Sequence, residues 1–105
     1  MIEYKVTVTD DAKKDLKRYR DYLVNVKKSP QSAKNVVLDF RETRKVLQST
    51  AGSIKDPDSV ALRTRRLKRI NFLKHNYFLL FRIEGTTVFV TNMFHGLEDY
   101  ENKLV

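Results

Sequence analysis

Two side chains near the end of the chain are of types that move protons. His95 titrates near neutrality when unperturbed and can accept or give up a proton there. Tyr100 offers a hydroxyl as donor, and the acidic residues Glu98, Asp99 and Glu101 lie around it. Upstream there is no acidic residue between Asp58 and Glu84, whereas Arg63, Arg65, Arg66, Lys68, Arg69, Lys74 and Arg82 all fall in that interval. A proton carrier beside a row of cations suits chemistry or binding on a polyanion. A structural reading stands beside this one. A lone histidine at a strand end often serves the fold, and a tyrosine often anchors a terminal helix to the core.

Composition narrows the classes. The formal net charge is +8 in 105 residues, with pI ≈ 9.8. An excess of that size attracts RNA, DNA, the ribosome, an acidic membrane surface or an acidic protein, or makes a basic solvated surface. The absence of cysteine excludes disulfides, thiolate zinc sites and a cysteine nucleophile. His75 and His95 are too few for a histidine-based metal cage, so no metal and no cofactor are expected. The P-loop, the dinucleotide glycine motif, H-E-x-x-H and G-x-S-x-G are all absent. No apolar run is long enough to span a bilayer, and the start lacks a secretory apolar region. The expectation is a cytoplasmic protein without membrane contact, folded as one domain over residues 1–105.

The residues that could do chemistry must be held by a sheet. Tyr77 to Ile83 and Val88 to Phe94 are aromatic and β-branched runs joined by Glu84-Gly85-Thr86-Thr87, a hairpin signal. A third strand reads from about Arg66 to Phe72. Ile2 to Thr9 alternates apolar and polar residues and reads as a first strand returning to the same sheet. Thr9-Asp10-Asp11 opens a helix with the stripe Ala12, Leu16, Tyr19, Leu23 and Val26, ending near Lys27-Lys28. Ser29-Pro30 opens a second, with Ala33, Val36, Val37, Phe40 and Leu47 in its stripe and Gly52 as its stop. Arg44 falls inside that stripe and must reach solvent or mark where the helix leaves the core. Residues 51–60 read as the only real loop, and Gly96 to Val105 as a closing helix. The fold class is α+β in the order strand-helix-helix-strand-strand-strand-helix, an antiparallel sheet covered by a helical hairpin. In the first hairpin strand Phe78, Leu80 and Arg82 share one face and Tyr77, Leu79, Phe81 and Ile83 the other. If the Tyr77 row meets the helices, Phe78 and Leu80 are partly exposed beside arginines, as at a binding surface; the alternative is that both faces are buried.

The chain resembles the RelE/ParE superfamily of bacterial toxins from type II toxin–antitoxin pairs. The resemblance rests on the element order, on the basic strand Arg66-Leu-Lys-Arg-Ile70, and on Asn76-Tyr-Phe-Leu-Leu-Phe-Arg82. It rests also on the ending Met93-Phe-His-Gly-Leu-Glu-Asp-Tyr100, similar to the H-G-x-x-D-Y close of many members.

The resemblance implies two activities. RelE-like members cleave mRNA in the ribosome by helping the RNA 2′-hydroxyl attack its own phosphate, a reaction needing a base, an acid and cations. On that pattern the catalytic candidates are His95, Tyr100, Arg69 and Arg82. Asn71 matches a second basic-strand position, and Phe78 stands where such enzymes usually carry an arginine, for which Arg82 on the same face can substitute. Arg63, Arg65, Arg66, Lys68 and Lys74 would bind nucleic acid. ParE-like members instead inhibit DNA gyrase by contact, and this close of the chain resembles theirs. The expectation places the ribosome-dependent endonuclease first, the gyrase inhibitor second, and a non-catalytic RNA-binding module third. Either toxin implies a cognate acidic antitoxin encoded by an adjacent gene, docking on Phe78 and Leu80.

Overall fold

The computed structural model describes residues 2–104. Its elements are β1 (Lys5–Val8), α1 (Asp10–Asn25), α2 (Pro30–Thr50), α3 (Val60–Thr64), β2 (Lys68–Asn71), β3 (Tyr77–Glu84), β4 (Thr87–His95) and α4 (Tyr100–Lys103). The α+β order of the sequence reading holds. The segment read as a loop also carries structure, a 3₁₀ turn over Ala51–Ser53 and the start of α3.

The sheet runs β1-β4-β3-β2. The two later pairings are antiparallel as expected, but β1 lies parallel to β4, with Lys5 opposite Thr87 and Val8 opposite Val90. Gly85 turns the β3–β4 hairpin at φ 62°, the left-handed region where glycine costs least. β1 is shorter than the alternating pattern implied: Ile2 is exposed, and the Tyr4 amide donates to the Gln48 carbonyl of α2 (2.7 Å) rather than to a strand.

Both long helices begin where their caps predict. The Thr9 and Ser29 side chains accept the amides of Ala12 and Ser32, and Pro30 takes the first position of α2. α1 stops at Asn25, earlier than expected, and Val26 is exposed rather than part of the stripe. The reason is the tight connection. Lys28 adopts φ 55° and the Ser29 amide reaches back to the Leu23 carbonyl (2.9 Å). In α2 the buried stripe is Ala33, Val36, Asp39, Phe40, Thr43 and Leu47, and Arg44 points to solvent.

The sheet has a core on each face. On the hairpin side Leu79, Phe81, Val88, Val90 and Met93 pack against Ala12, Tyr19, Val36, Phe40 and Leu47. On the opposite side Phe78, Leu80 and Phe94 pack against Leu62 and Leu67, with Tyr100 and Leu104 laid over them. The Tyr77 row meets the helices, yet Phe78 is only 1% exposed and Leu80 0%, so the alternative in which both faces are buried holds. Their expected exposure is corrected: α3 and the closing segment supply a second apolar cover.

A bulge in β4 divides its side chains between these cores. Phe81 pairs with Val90 and Leu80 with Asn92, so Thr91 is an extra residue and its hydroxyl donates to the Leu80 carbonyl (3.4 Å). Val88 and Val90 face the hairpin; past the bulge it is Met93 and His95 that do so, while Phe94 faces away. α4 starts only at Tyr100 because residues 95–98 form a tight turn, the Glu98 amide donating to the His95 carbonyl (3.0 Å). Val105, assigned to the closing helix in the sequence reading, lies outside the described residues.

Asp39 is the one acid in the α2 core and is 4% exposed. Its carboxylate accepts the backbone amides of Leu73 (3.2 Å), Lys74 (3.0 Å) and His75 (2.9 Å), and His75 Nδ1 lies 2.7 Å from Oδ2. It thereby fixes the turn between β2 and β3 against α2. Asp39→Ala strands several donors at once and is expected to cost on the order of 3 kcal/mol. Urea denaturation of the variant measures this, and an unchanged midpoint would show the turn to be held by other contacts.

Candidate functional site

The expected catalytic residues fall at three places. Arg69 and Tyr100 share a cleft of ≈ 360 Å³ on the sheet face away from the hairpin, lined also by Lys55, Pro57, Asp58, Ser59, Leu62 and Asn71. The Arg69 guanidinium lies 3.8 Å from the Phe78 ring centroid and 5.9 Å from that of Tyr100, and its Nε donates to Asn71 Oδ1 (2.9 Å). It is thus a positioned cation with an aromatic bed. Arg82 lines a different cleft of ≈ 440 Å³ with Asp11, Arg65, Asn92 and Lys103, stacks 4.8 Å over Phe89 and pairs with Glu84 (3.2 Å).

His95 lies on the other side of the sheet. Its ring meets Tyr77 edge-on at 5.0 Å, and Tyr77 packs in turn on Tyr19 at 5.1 Å. The Leu97 amide donates to His95 Nδ1 (3.2 Å). An acceptor at Nδ1 puts the proton of the neutral ring on Nε2, so in that tautomer Nε2 is a donor rather than a base.

Around His95 the sequence reading missed a polar frame. β1 pairs with β4 only as far as Val90, so the later amides on that edge need other partners. α1 supplies them. Asp15 Oδ2 accepts the Met93 amide (2.9 Å), and the His95 amide is shared by Glu98 Oε1 (2.9 Å) and the Tyr19 hydroxyl oxygen (3.2 Å). The Tyr19 hydroxyl donates to Glu98, which also pairs with Lys103. Glu98 is legible only as part of the H-G-x-x-D-Y ending, and Tyr19 only as a core residue of its stripe.

These contacts set the protonation states. Burial alone would raise the Glu98 pKa, but Lys103, Tyr19 and the His95 amide outweigh it and hold it at about 2. Burial and the bond to Glu98 push the Tyr19 phenol well up. Asp39 likewise ends below its usual value, the His75 bond and three amides overcoming burial. Asp15 goes the other way, raised by burial that the Met93 amide and Arg18 only partly offset.

The basic residues divide as well. Arg63 and Arg66 are exposed, and neither side chain makes a hydrogen bond or ion pair among the described residues. Arg65 instead donates to the Leu104 carbonyl, clamping the closing segment, and Lys68 donates to the Ile54 carbonyl (2.7 Å) and pairs with Asp56. Lys74 is exposed at the turn that Asp39 holds. Phe78 and Leu80, the expected antitoxin contacts, lie under Tyr100 and Leu104 and present no surface. Among the described residues no group of three or more His, Asp or Glu is placed to hold a metal ion, and no helix is long and apolar enough to cross a membrane.

Residues 6–100 match a family model described as the ParE toxin of the type II toxin–antitoxin system parDE. No curated protein matches the sequence. Among solved structures, a chain of the chromosomal ParDE TA system from P. aeruginosa is similar, with a TM-score of 0.71 at 22% identity over 89% of this chain and 96% of that one. That likeness speaks for the fold.

The acid limb of stability follows from these carboxylates. Glu98 and Asp39 have depressed folded pKa values, so their stabilisation is present above the unfolded carboxylate range of about 4 and is lost as pH falls through the folded values, about 2 for Glu98. Asp15, with a raised value, contributes in the opposite sense: its term is full below about 4 and is lost as pH rises through its folded pKa. Glu98→Gln should therefore flatten the loss of stability between about pH 4 and 2, as read by denaturation across that range. An identical acid limb in wild type and variant would contradict the assigned Glu98 contacts.

Proposed function

The chain belongs to the ParE toxin family of type II toxin–antitoxin systems, and on that premise we propose that it arrests growth by binding DNA gyrase, not by cutting mRNA. The observation carrying this reading is the division of the catalytic candidates. Cleavage by the 2′-hydroxyl needs a base and an acid at the same phosphate. Here His95 is on the hairpin side of the sheet with Nδ1 engaged, and Arg69 and Tyr100 are on the opposite side. Inhibition by contact needs no such constellation. The endonuclease reading draws its one support from the cleft where Lys55, Arg69, Asn71 and Tyr100 converge, a place for a phosphate beside the Asp58 carboxylate but away from His95.

The proposed unit is one toxin domain over residues 1–105, held in check by an acidic antitoxin encoded beside it. The net charge of +8 supports such a partner, since opposite charge speeds encounter. Its footing is the exposed basic surface, Arg63 and Arg66 included, rather than the buried Phe78 and Leu80.

Purified toxin assayed in parallel for gyrase supercoiling and for mRNA cleavage in a translation mixture tests the assignment. The expected result is blocked supercoiling with intact mRNA. His95→Gln and Tyr100→Phe should change potency by less than about tenfold, whereas loss of an acid–base catalyst costs roughly 10²–10⁴. Cleaved mRNA that becomes intact in His95→Gln would reverse the assignment.

A further inference from the structure

Residues 95–98 form a turn fixed from several sides. The Glu98 amide donates to the His95 carbonyl (3.0 Å), the Leu97 amide to His95 Nδ1 (3.2 Å) and the Gly96 amide to the Asn76 carbonyl (2.8 Å). The Glu98 carboxylate closes the ring on the His95 amide (2.9 Å). Gly96 leaves no room for a side chain, since a Cβ there would lie 2.0 Å from Asn76 Oδ1. At the tip of this frame is Leu97, 85% exposed and the most exposed large apolar side chain among the described residues.

A single exposed leucine is ordinary on a protein surface. This one differs in two respects. Its backbone is already ordered, so burial by a partner forfeits little further freedom. It also has aromatic neighbours. Tyr77 and His95 are half-buried beside the turn, and Tyr22, one helical turn past the Tyr19 that bonds Glu98, is 46% exposed. The Tyr77 ring meets His95 at 5.0 Å and Tyr19 at 5.1 Å, and Tyr19 bonds Glu98, so these residues belong to one end of the sheet, with Tyr22 the next turn of α1 along.

Charge identifies the kind of occupant. Around Leu97 the carboxylates of Glu98 and Asp99 stand against Lys103, and Lys27 lies 5.8 Å from the Tyr22 ring. The balance is near neutral, unlike the Arg63–Arg66 corner. A nucleic acid or an acidic antitoxin would meet the carboxylates of Glu98 and Asp99 here. Exposed and half-buried tyrosines are instead among the residues enriched at protein–protein hot spots. We propose that the Leu97 turn, with Tyr22 and Tyr77, is the surface by which this toxin grips its protein target, Leu97 entering an apolar pocket of a gyrase subunit. The inference rests on the gyrase reading and adds where the contact is made.

The test compares wild type, Leu97→Ala and Leu97→Glu in gyrase supercoiling, in binding to the adjacent-gene antitoxin and in thermal melting. The expected result is a half-inhibitory concentration raised at least about tenfold for Leu97→Glu and less for Leu97→Ala. Melting should stay unchanged because the side chain is exposed, and antitoxin affinity should stay unchanged because the turn is not its footing. Wild-type potency in Leu97→Glu would overturn this surface while leaving the gyrase reading intact. A parallel loss of antitoxin binding would assign the turn to the antitoxin and overturn the proposal. Failure of wild type to inhibit supercoiling at all would remove the gyrase reading and the proposal with it.

Discussion

Past Val90, β4 has no strand on its α1 side, and its remaining amides must be satisfied by side chains. α1 meets this need by periodicity. Asp15 and Tyr19 are four residues apart, about 6 Å along a helix, and Met93 and His95 are two residues apart, about 6.6 Å along a strand. The helix therefore acts as the missing edge strand. The Tyr19 hydroxyl donates a hydrogen bond to Glu98, so the same seam fixes the turn after His95 and, through Lys103, the segment that covers the second core. Every buried side-chain nitrogen and oxygen among the described residues has a partner.

This arrangement decides what the basic face can be. Arg69 is held by its stacking on Phe78 and its bond to Asn71, and Arg65 by the Leu104 carbonyl. Arg63 and Arg66 remain free for long-range attraction. Arg66 sits at φ 57°, ending α3 with the Leu67 amide on the Leu62 carbonyl (2.9 Å) and its own amide on Arg63 (3.0 Å). Glycine would adopt that conformation with less strain, so the chain carries a cation there at a conformational cost.

Much of the fold was legible because local signals agreed. Thr9 and Ser29-Pro30 mark helix starts, the apolar stripes follow helical spacing, and Gly85 marks the hairpin. What stayed illegible were residues whose role is set by distant partners. Nothing in the local pattern marks Asp39, whose role depends on three amides of another turn. Nor does anything local mark Asp15, whose partner is the amide of Met93. Phe78 and Leu80 were assigned to a surface because α3, only five residues long, gave no periodic signal of the cover it forms with the closing segment. The candidate site was legible as a set of residue types but not as a grouping, since alternation along β4 is broken at Thr91.

That bulge has a bearing on descent. Counting by twos from Val88 and Val90 would send His95 to the side of the sheet that holds Arg69 and Tyr100. The one inserted residue sends it to the other. A proton carrier and its would-be electrophilic partners are thus separated by a single codon rather than by any change in side-chain chemistry. Within one scaffold, gain or loss of one residue in the last strand changes which face of the sheet His95 occupies, with every ionisable group retained.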